Sequence, residues 1–179
     1  MLRPLLKEVF FYTSDIISTM SVIVARHGLS EANDQASLAF GSPNAHLMEH
    51  GRVRARELGQ VLRHVYQVNV DEEVVATSRL LRTQETAEVA GFRRIVVNSL
   101  LDEATTGLSF EEIIEARRTR IAPHTAITVA EAILENPPEQ GVWITHGLVI
   151  VGLCEVLGIA HQFEKFIPKF CEARMLPIN

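Results

Sequence analysis

Short runs of apolar and β-branched residues alternate along this chain with longer stretches of helical spacing. Ser21–Arg26 (SVIVAR) is a β-branched run ending just before a glycine, which predicts a buried strand followed by a turn. From Gly51 to Tyr66 the apolar positions Val53, Leu58, Val61, Leu62 and Val65 share one helical face, with Arg52, Arg56, Gln60 and Arg63 turned to water. Glu73–Thr77 and Arg94–Val97 predict two further strands, separated by a helix over Leu80–Ala90 that Gly91 closes. Helices are predicted over Phe110–Arg118 and Thr128–Leu134. Pro137–Pro138 marks a break, Val142–Thr145 is a fourth strand, and Leu148–Leu157 is an apolar helix ended by Gly158. Strands that alternate with helices predict a layered α/β domain on a largely parallel sheet.

Length and composition narrow this further. The 179 residues suit one domain, taken as 21–179. Residues 1–20 stand apart: their apolar clusters are interrupted by Lys7, Glu8 and Asp15, too short for a secretory core or a membrane span. They read as a helical extension packed on the domain, or as a leader preceding a start at Met20. A formal net charge of −5 argues against nucleic acid or an acidic membrane as partner of the whole surface, while a local group of arginines can still receive a small anion. Two cysteines, Cys154 and Cys171, make no disulfide framework, so the reducing cytoplasm is the expected compartment.

In parallel sheets ligands collect at the carboxyl ends of the strands. The polar residues there are Arg26–His27–Gly28, Ser78–Arg79, Asp102–Glu103 and His146–Gly147. Two histidines, arginine and a carboxylic acid in one crevice suit phosphoryl transfer. Arginine forks pair with phosphate oxygens. A neutral imidazole can attack phosphorus if its other nitrogen donates to a carbonyl. A carboxylic acid can protonate the leaving oxygen, and a dianion beside it helps keep it protonated. Backbone N–H groups near Gly28, at a helix start, would add anion stabilisation. No metal or other cofactor is required, because the arginines neutralise the developing charge.

These residues also resemble a family. Arg26-His27-Gly28-Leu29-Ser30-Glu31-Ala32-Asn33 resembles the RHGxSxxN signature of the histidine phosphatase superfamily, the phosphoglycerate mutase-like proteins. Leu47–Arg52, with Ala55 in register, is similar to that family's LTxxGxxQA helix start. Ser78–Ala87 is similar to SxLxRAxxTA, Leu101-Asp102-Glu103 with Gly107 to LxE…G, and Trp143–Gly147 to the late strand ending in HG. The resemblance spans Ser21 to Gly158. It implies a three-layer α/β/α fold around a mixed, mainly parallel sheet. It also implies roles: His27 as the nucleophile that becomes phosphohistidine, Arg26, Arg82 and His146 as the phosphoryl clamp, and Glu103 as proton donor. Ser30 and Asn33 would add polar contacts, and the backbone at Gly147 and Leu148 a further donor.

The sequence departs from the pattern at Met48, Thr83 and Leu148, and the segment between Glu103 and His146 is shorter than in the sugar-phosphate mutases. An open site exposes a phosphoenzyme to water, so the expected activity is a metal-independent phosphatase acting on a small phosphorylated substrate or a phosphoprotein. A phosphomutase and a non-catalytic phosphate-binding protein are the alternatives. Arg79 competes with Arg82, and Asp102 with Glu103. His46–His50 matches the zinc signature HxxEH, but Pro43, Asn44 and Gly51 place it where a helix begins rather than in its interior, and solvent-exposed polar residues are the better reading. Arg117, Arg118 and Arg120 read as a solvated helix face before they read as a rim of the crevice.

Overall fold

A computed structural model describes residues 21–104 and 108–178, so the extension expected over 1–20, and Gly107 of the acidic segment, lie outside the described residues. Its elements are β1 (Ser21–Arg26), α1 (Glu49–His64), β2 (Val74–Thr77), α2 (Leu81–Ala90) and β3 (Arg94–Val97). There follow α3 (Phe110–Thr119), α4 (His124–Glu135), β4 (Val142–Thr145), α5 (Gly147–Val156) and β5 (Ala173–Pro177). The sheet order is β3-β2-β4-β1-β5. The β1–β4, β2–β4 and β2–β3 pairs are parallel, with Arg26 opposite Thr145 and Thr77 opposite Ile144. β5 runs antiparallel to β1 and makes the sheet mixed.

Strand alternation builds the three layers. Val22, Val24, Ala76 and Trp143 face a core made with α4 and α5, including Ala126, Ala130, Ile150 and Leu153. Ile23, Ala25, Val75, Val142 and Ile144 face the other way, onto Leu58 and Leu62 of α1 and Ala87 and Ala90 of α2. The helices are thus divided between the two faces of the sheet and bury its central strands β1, β2 and β4, while the edge strand β3 stays largely exposed.

One sequence expectation needs correction. α1 does not bury the face drawn from its larger apolar residues: Val53, Val61 and Val65 are exposed, and the buried stripe is Gly51, Ala55, Leu58, Gly59 and Leu62. The reason is close approach. A Cβ on Gly51 would collide with the Leu29 carbonyl and one on Gly59 with the Ala90 carbonyl, so only small residues let α1 lie against these backbones. Gly152 of α5 likewise meets the Ala126 carbonyl of α4. β5 has no counterpart among the expected strands, because its sequence ARMLP carries no simple alternation of apolar and polar residues. Its inward positions are Arg174 and Leu176, both buried. Among the described residues, no helix is long and apolar enough to cross a membrane.

Candidate active site

The parallel topology brings the carboxyl ends of β1, β2 and β4 side by side, and the predicted residues gather there. His27 follows β1 and is only 1 % exposed; His146 follows β4 and is fully buried. The two rings meet edge to face with centroids 5.0 Å apart. His27 Nδ1 lies 2.7 Å from the Gly28 carbonyl, which can only accept, so Nδ1 carries the proton and Nε2 is left with its lone pair. Arg82, from the first turn of α2, points its Nε–H at that lone pair at 3.3 Å. Burial, and then the charges of His146, Arg82 and Arg26, hold His27 well below the ordinary histidine range despite the Gly28 bond, so its ring is neutral at neutral pH.

Glu103 completes the group. Its Oε2 lies 3.2 Å from His146 Nδ1 and 3.7 Å from Arg82 Nη2, and its side chain is 20 % exposed at the mouth. Burial works against its charge, but His146, through its charge and its hydrogen bond, then Arg82 and Arg26, outweigh this and hold the carboxyl below its ordinary value. His146 is fixed from behind, with Nε2 2.9 Å from Ser78 Oγ, itself 2.9 Å from Thr83 Oγ1. The threonine that departs from the family pattern thus helps position the Ser78 hydroxyl.

The two competing pairs separate in space. The Arg79 N–H and Nε–H donate to the two carboxylate oxygens of Asp102 at 2.8 and 2.7 Å, so Arg79 and Asp102 satisfy each other outside the crevice, while Arg82 and Glu103 face inward. Ser30 and Asn33 are brought to the same loop but are spent locally: Ser30 N–H and Oγ–H both donate to Asn33 Oδ1, capping the short 3-10 turn Glu31–Asn33. Gly147 opens α5. Its first-turn N–H groups have no partner within the helix, and a Cβ there would sit 2.9 Å from Ile167 and 3.2 Å from Arg26 Nε. The helix start available to an anion is therefore at Gly147. Gly28 is not at a helix start; it lies in the extended chain after β1, and its N–H is already given to Thr86 Oγ1 at 2.9 Å.

Arg26 shows what the sequence hides. Its Nη1 donates to the Pro168 carbonyl at 2.8 Å and its guanidinium stacks 3.8 Å above the Phe170 ring. Its Nε is buried and finds no partner among the described residues. Burial pushes its pKa down to about 10, which still leaves it cationic at neutral pH. Phe170 also packs on His27, with ring centroids 5.7 Å apart. Pro168, Phe170 and Thr86 were not among the predicted site residues, and no spacing in the sequence marks the first two.

Among the described residues, His27, Glu103 and His146 also form the group of possible metal ligands, their nearest donor atoms within 4.8 Å of one another. Arg82 and Arg26 stand against that group with two positive charges, which suits an anion better than a dication. The HxxEH histidines do not gather: His46 Nδ1 is paired with Glu85 at 2.8 Å, and His50 is exposed on α1.

A family model described as histidine phosphatase superfamily (branch 1) matches residues 22–127, more than half of the chain. The chain belongs to the histidine phosphatase superfamily. Solved structures agree on the fold. A mycobacterial glucosyl-3-phosphoglycerate phosphatase in complex with vanadate superposes with a TM-score of 0.56 at 19 % identity, covering 87 % of this chain and 90 % of that one. A protein from Thermus thermophilus gives 0.59 at 22 %, covering 87 % and 92 %. A phosphoserine phosphatase from Entamoeba histolytica with bound 3-phosphoglyceric acid gives 0.55 at 20 %, covering 87 % and 89 %. Comparison with curated proteins returns no match. Within the superfamily fold, the Arg26, His27, Arg82, Glu103 and His146 side chains are those this chain presents to one another in the crevice.

Proposed function

We propose that the protein is a metal-independent phosphatase that transfers the phosphoryl group of its substrate to His27 Nε2 and then to water. The reading is carried by one observation: a buried, neutral His27 whose Nδ1–H is committed to the Gly28 carbonyl, with its free nitrogen facing Arg82. Arg26, Arg82 and His146 offer donors to the phosphoryl oxygens, and Arg26 Nε is a buried donor still to be satisfied. Glu103 supplies the proton to the leaving oxygen and later takes one from the attacking water.

The protonation of Glu103 follows from competition. The groups that keep its carboxyl ionised, His146, Arg82 and Arg26, are the groups a phosphate would engage. An arriving dianion draws on those cations and adds negative charge beside the carboxylate, which raises its pKa and loads the acid as the substrate binds. Between Glu103 and His146 the chain builds α3, α4 and β4. That short span favours hydrolysis over a mutase cycle that must protect the phosphoenzyme.

Phosphoserine and 3-phosphoglyceric acid are bound in structures of a phosphoserine phosphatase with the same fold. A small phosphate monoester is accordingly the substrate class proposed first, and a phosphoprotein second. The two cysteines are unpaired, in keeping with a cytoplasmic location. The deciding experiment is hydrolysis of 4-nitrophenyl phosphate in excess chelator, with trapping of the phosphoenzyme by an alkaline denaturing quench. Turnover and an acid-labile phosphoryl group, both lost in His27→Ala, are expected. Full activity in that variant, or dependence on added metal, sinks the reading.

A further inference from the structure

Residues 163–170 form a wall beside the crevice, held by arginines that take its carbonyls in turn: Arg120 those of Phe163 and Glu164, Arg174 those of Lys165 and Phe166, and Arg26 that of Pro168. The wall ends in a tight turn. Glu172 N–H donates to the Lys169 carbonyl at 3.0 Å, and Cys171, third in the turn, takes a left-handed conformation (φ 60°) of the kind that favours glycine. A side chain is carried there at a cost in backbone strain. Phe170 is second in the turn.

What the turn holds is the Arg26–His27 pair. Cys171 N–H donates to the Arg26 carbonyl at 3.0 Å and lies 3.4 Å from that of His27, and the Glu172 carbonyl accepts from Arg26 N–H at 3.0 Å. With the backbone fixed in this way, the half-buried Phe170 ring lies 3.8 Å from the Arg26 guanidinium and packs on the His27 imidazole, with ring centroids 5.7 Å apart. Phe170 also lines two cavities, one against α1 with Leu29 and Leu58, the other past the end of α3 with Arg117 and Arg120. A shorter side chain would open both toward His27, which is only 1 % exposed.

Each contact has a physical consequence. A guanidinium stacked on a ring keeps its plane, and its in-plane donors stay available to an oxyanion. Arg26 Nε, buried with no partner among the described residues, is such a donor. An arginine already held loses less freedom when a phosphate arrives. Burial is also the first cause that holds His27 below the ordinary histidine range. The charges facing it, from His146, Arg82 and Arg26, act in the same direction, Glu103 lies beyond His146, and the Gly28 bond opposes.

We propose that Phe170 is a positioning residue for the phosphoryl transfer, holding the Arg26 fork toward the phosphate and closing His27 off from water. The proposal rests on the phosphatase reading of the crevice.

The test compares Phe170→Tyr, Phe170→Leu and Phe170→Ala by two readouts that need no turnover. One is the titration of the His27 imidazole by NMR, its signal assigned by its absence in His27→Asn. The other is the affinity for inorganic phosphate by calorimetry. Phe170→Leu keeps an apolar cover without an aromatic face. Phosphate should bind it about five-fold more weakly, the scale of immobilising one long side chain, while the His27 titration stays in place. Phe170→Ala removes both features, so affinity should fall at least as far and the titration should move up toward 6.5. Phe170→Tyr keeps the ring and should match the wild type in both readouts. A titration that stays in place in Phe170→Ala overturns the proposal, as does a phosphate affinity unchanged in Phe170→Leu and Phe170→Ala. Equal losses in all three variants overturn it too, by assigning the effect to packing. Should Phe170→Ala not fold, the contrast between Phe170→Leu and Phe170→Tyr still decides through the affinity. Failure of the phosphatase reading shows separately, as absent turnover of 4-nitrophenyl phosphate by the wild type while the differences in titration and affinity persist.

Discussion

Arg82 Nε points at His27 Nε2 from 3.3 Å, so the atom proposed to attack phosphorus holds a guanidinium hydrogen bond before any substrate arrives. The contact orients the imidazole and keeps it from taking a proton, because a protonated ring would face Arg82 as a like charge. In attack, the same arginine must turn its donors to the phosphoryl oxygens. Lysine cannot do both, having a point charge in place of a planar fork. Arg82→Lys is therefore expected to lower kcat/KM for an aryl phosphate by about 10²–10³-fold, the range for losing one preorganised donor. Steady-state kinetics with circular dichroism as a fold control checks it; a loss below about three-fold contradicts the role, given that range.

The depressed pKa of His27 has a consequence for stability. In the unfolded chain a histidine takes its proton near its ordinary value of 6.5, while the folded protein resists it until well below. Between those two points the unfolded state binds more protons, so stability falls as pH falls. Glu103, also depressed, adds a loss of the same sign, but only below its ordinary 4.5. Thermal midpoints measured from pH 7 down to pH 5 should therefore decline, and the decline should be shallower in His27→Asn. Parallel curves for the two proteins would show that His27 is not held neutral by the fold.

How much of this was legible in sequence depends on where each residue gets its order. His27, Ser78, Glu103 and His146 were legible because each stands near the end of a β-branched or apolar run, and a parallel sheet aligns such ends. The wall over 163–170 was not. Its shape comes from Arg120, Arg174 and Arg26 binding successive carbonyls, interactions with no periodicity to detect. Arg117 and Arg120 read as a charged helix face in sequence because their relation to Arg26 exists only once that wall is folded. The stripe of α1 was misplaced for the opposite reason: hydrophobic spacing points to the large residues, while the close approach of Leu29 and Ala90 selects Gly51 and Gly59.

Gly28 illustrates a support that the signature motif conceals. Its N–H donates to Thr86 Oγ1, which in turn donates to the Arg82 carbonyl at 2.6 Å, so one hydroxyl ties the loop after His27 to the helix bearing Arg82. Thr86→Val keeps the shape and removes the acceptor, stranding a buried N–H. A loss of about 1–3 kcal/mol is expected in urea unfolding, the usual cost of an unsatisfied buried donor. Activity should fall as well, because both His27 and Arg82 are anchored through this bond. A Thr86→Ser variant, which restores the hydroxyl, should recover most of the activity; equal defects in Ser and Val would assign the effect to packing alone.

Asp102 and Glu103 are adjacent in sequence and opposite in situation, which makes them a controlled comparison. Asp102 closes a surface pair with Arg79, whose side chain is 68 % exposed. Glu103 meets His146 and Arg82 inside the crevice. Asp102→Asn should cost no more than about 1 kcal/mol of stability, the ceiling for most exposed ion pairs, and should leave kcat within about two-fold. Glu103→Gln keeps the size but can neither give nor take the proton, and kcat should fall by about 10²–10⁴-fold on esters with poor leaving groups. The loss should shrink for 4-nitrophenyl phosphate, whose leaving oxygen scarcely needs protonation. That leaving-group dependence is the decisive readout: a Glu103→Gln defect equal across good and poor leaving groups would mean that the carboxylate only shapes the clamp, and the proton donor would have to be sought elsewhere.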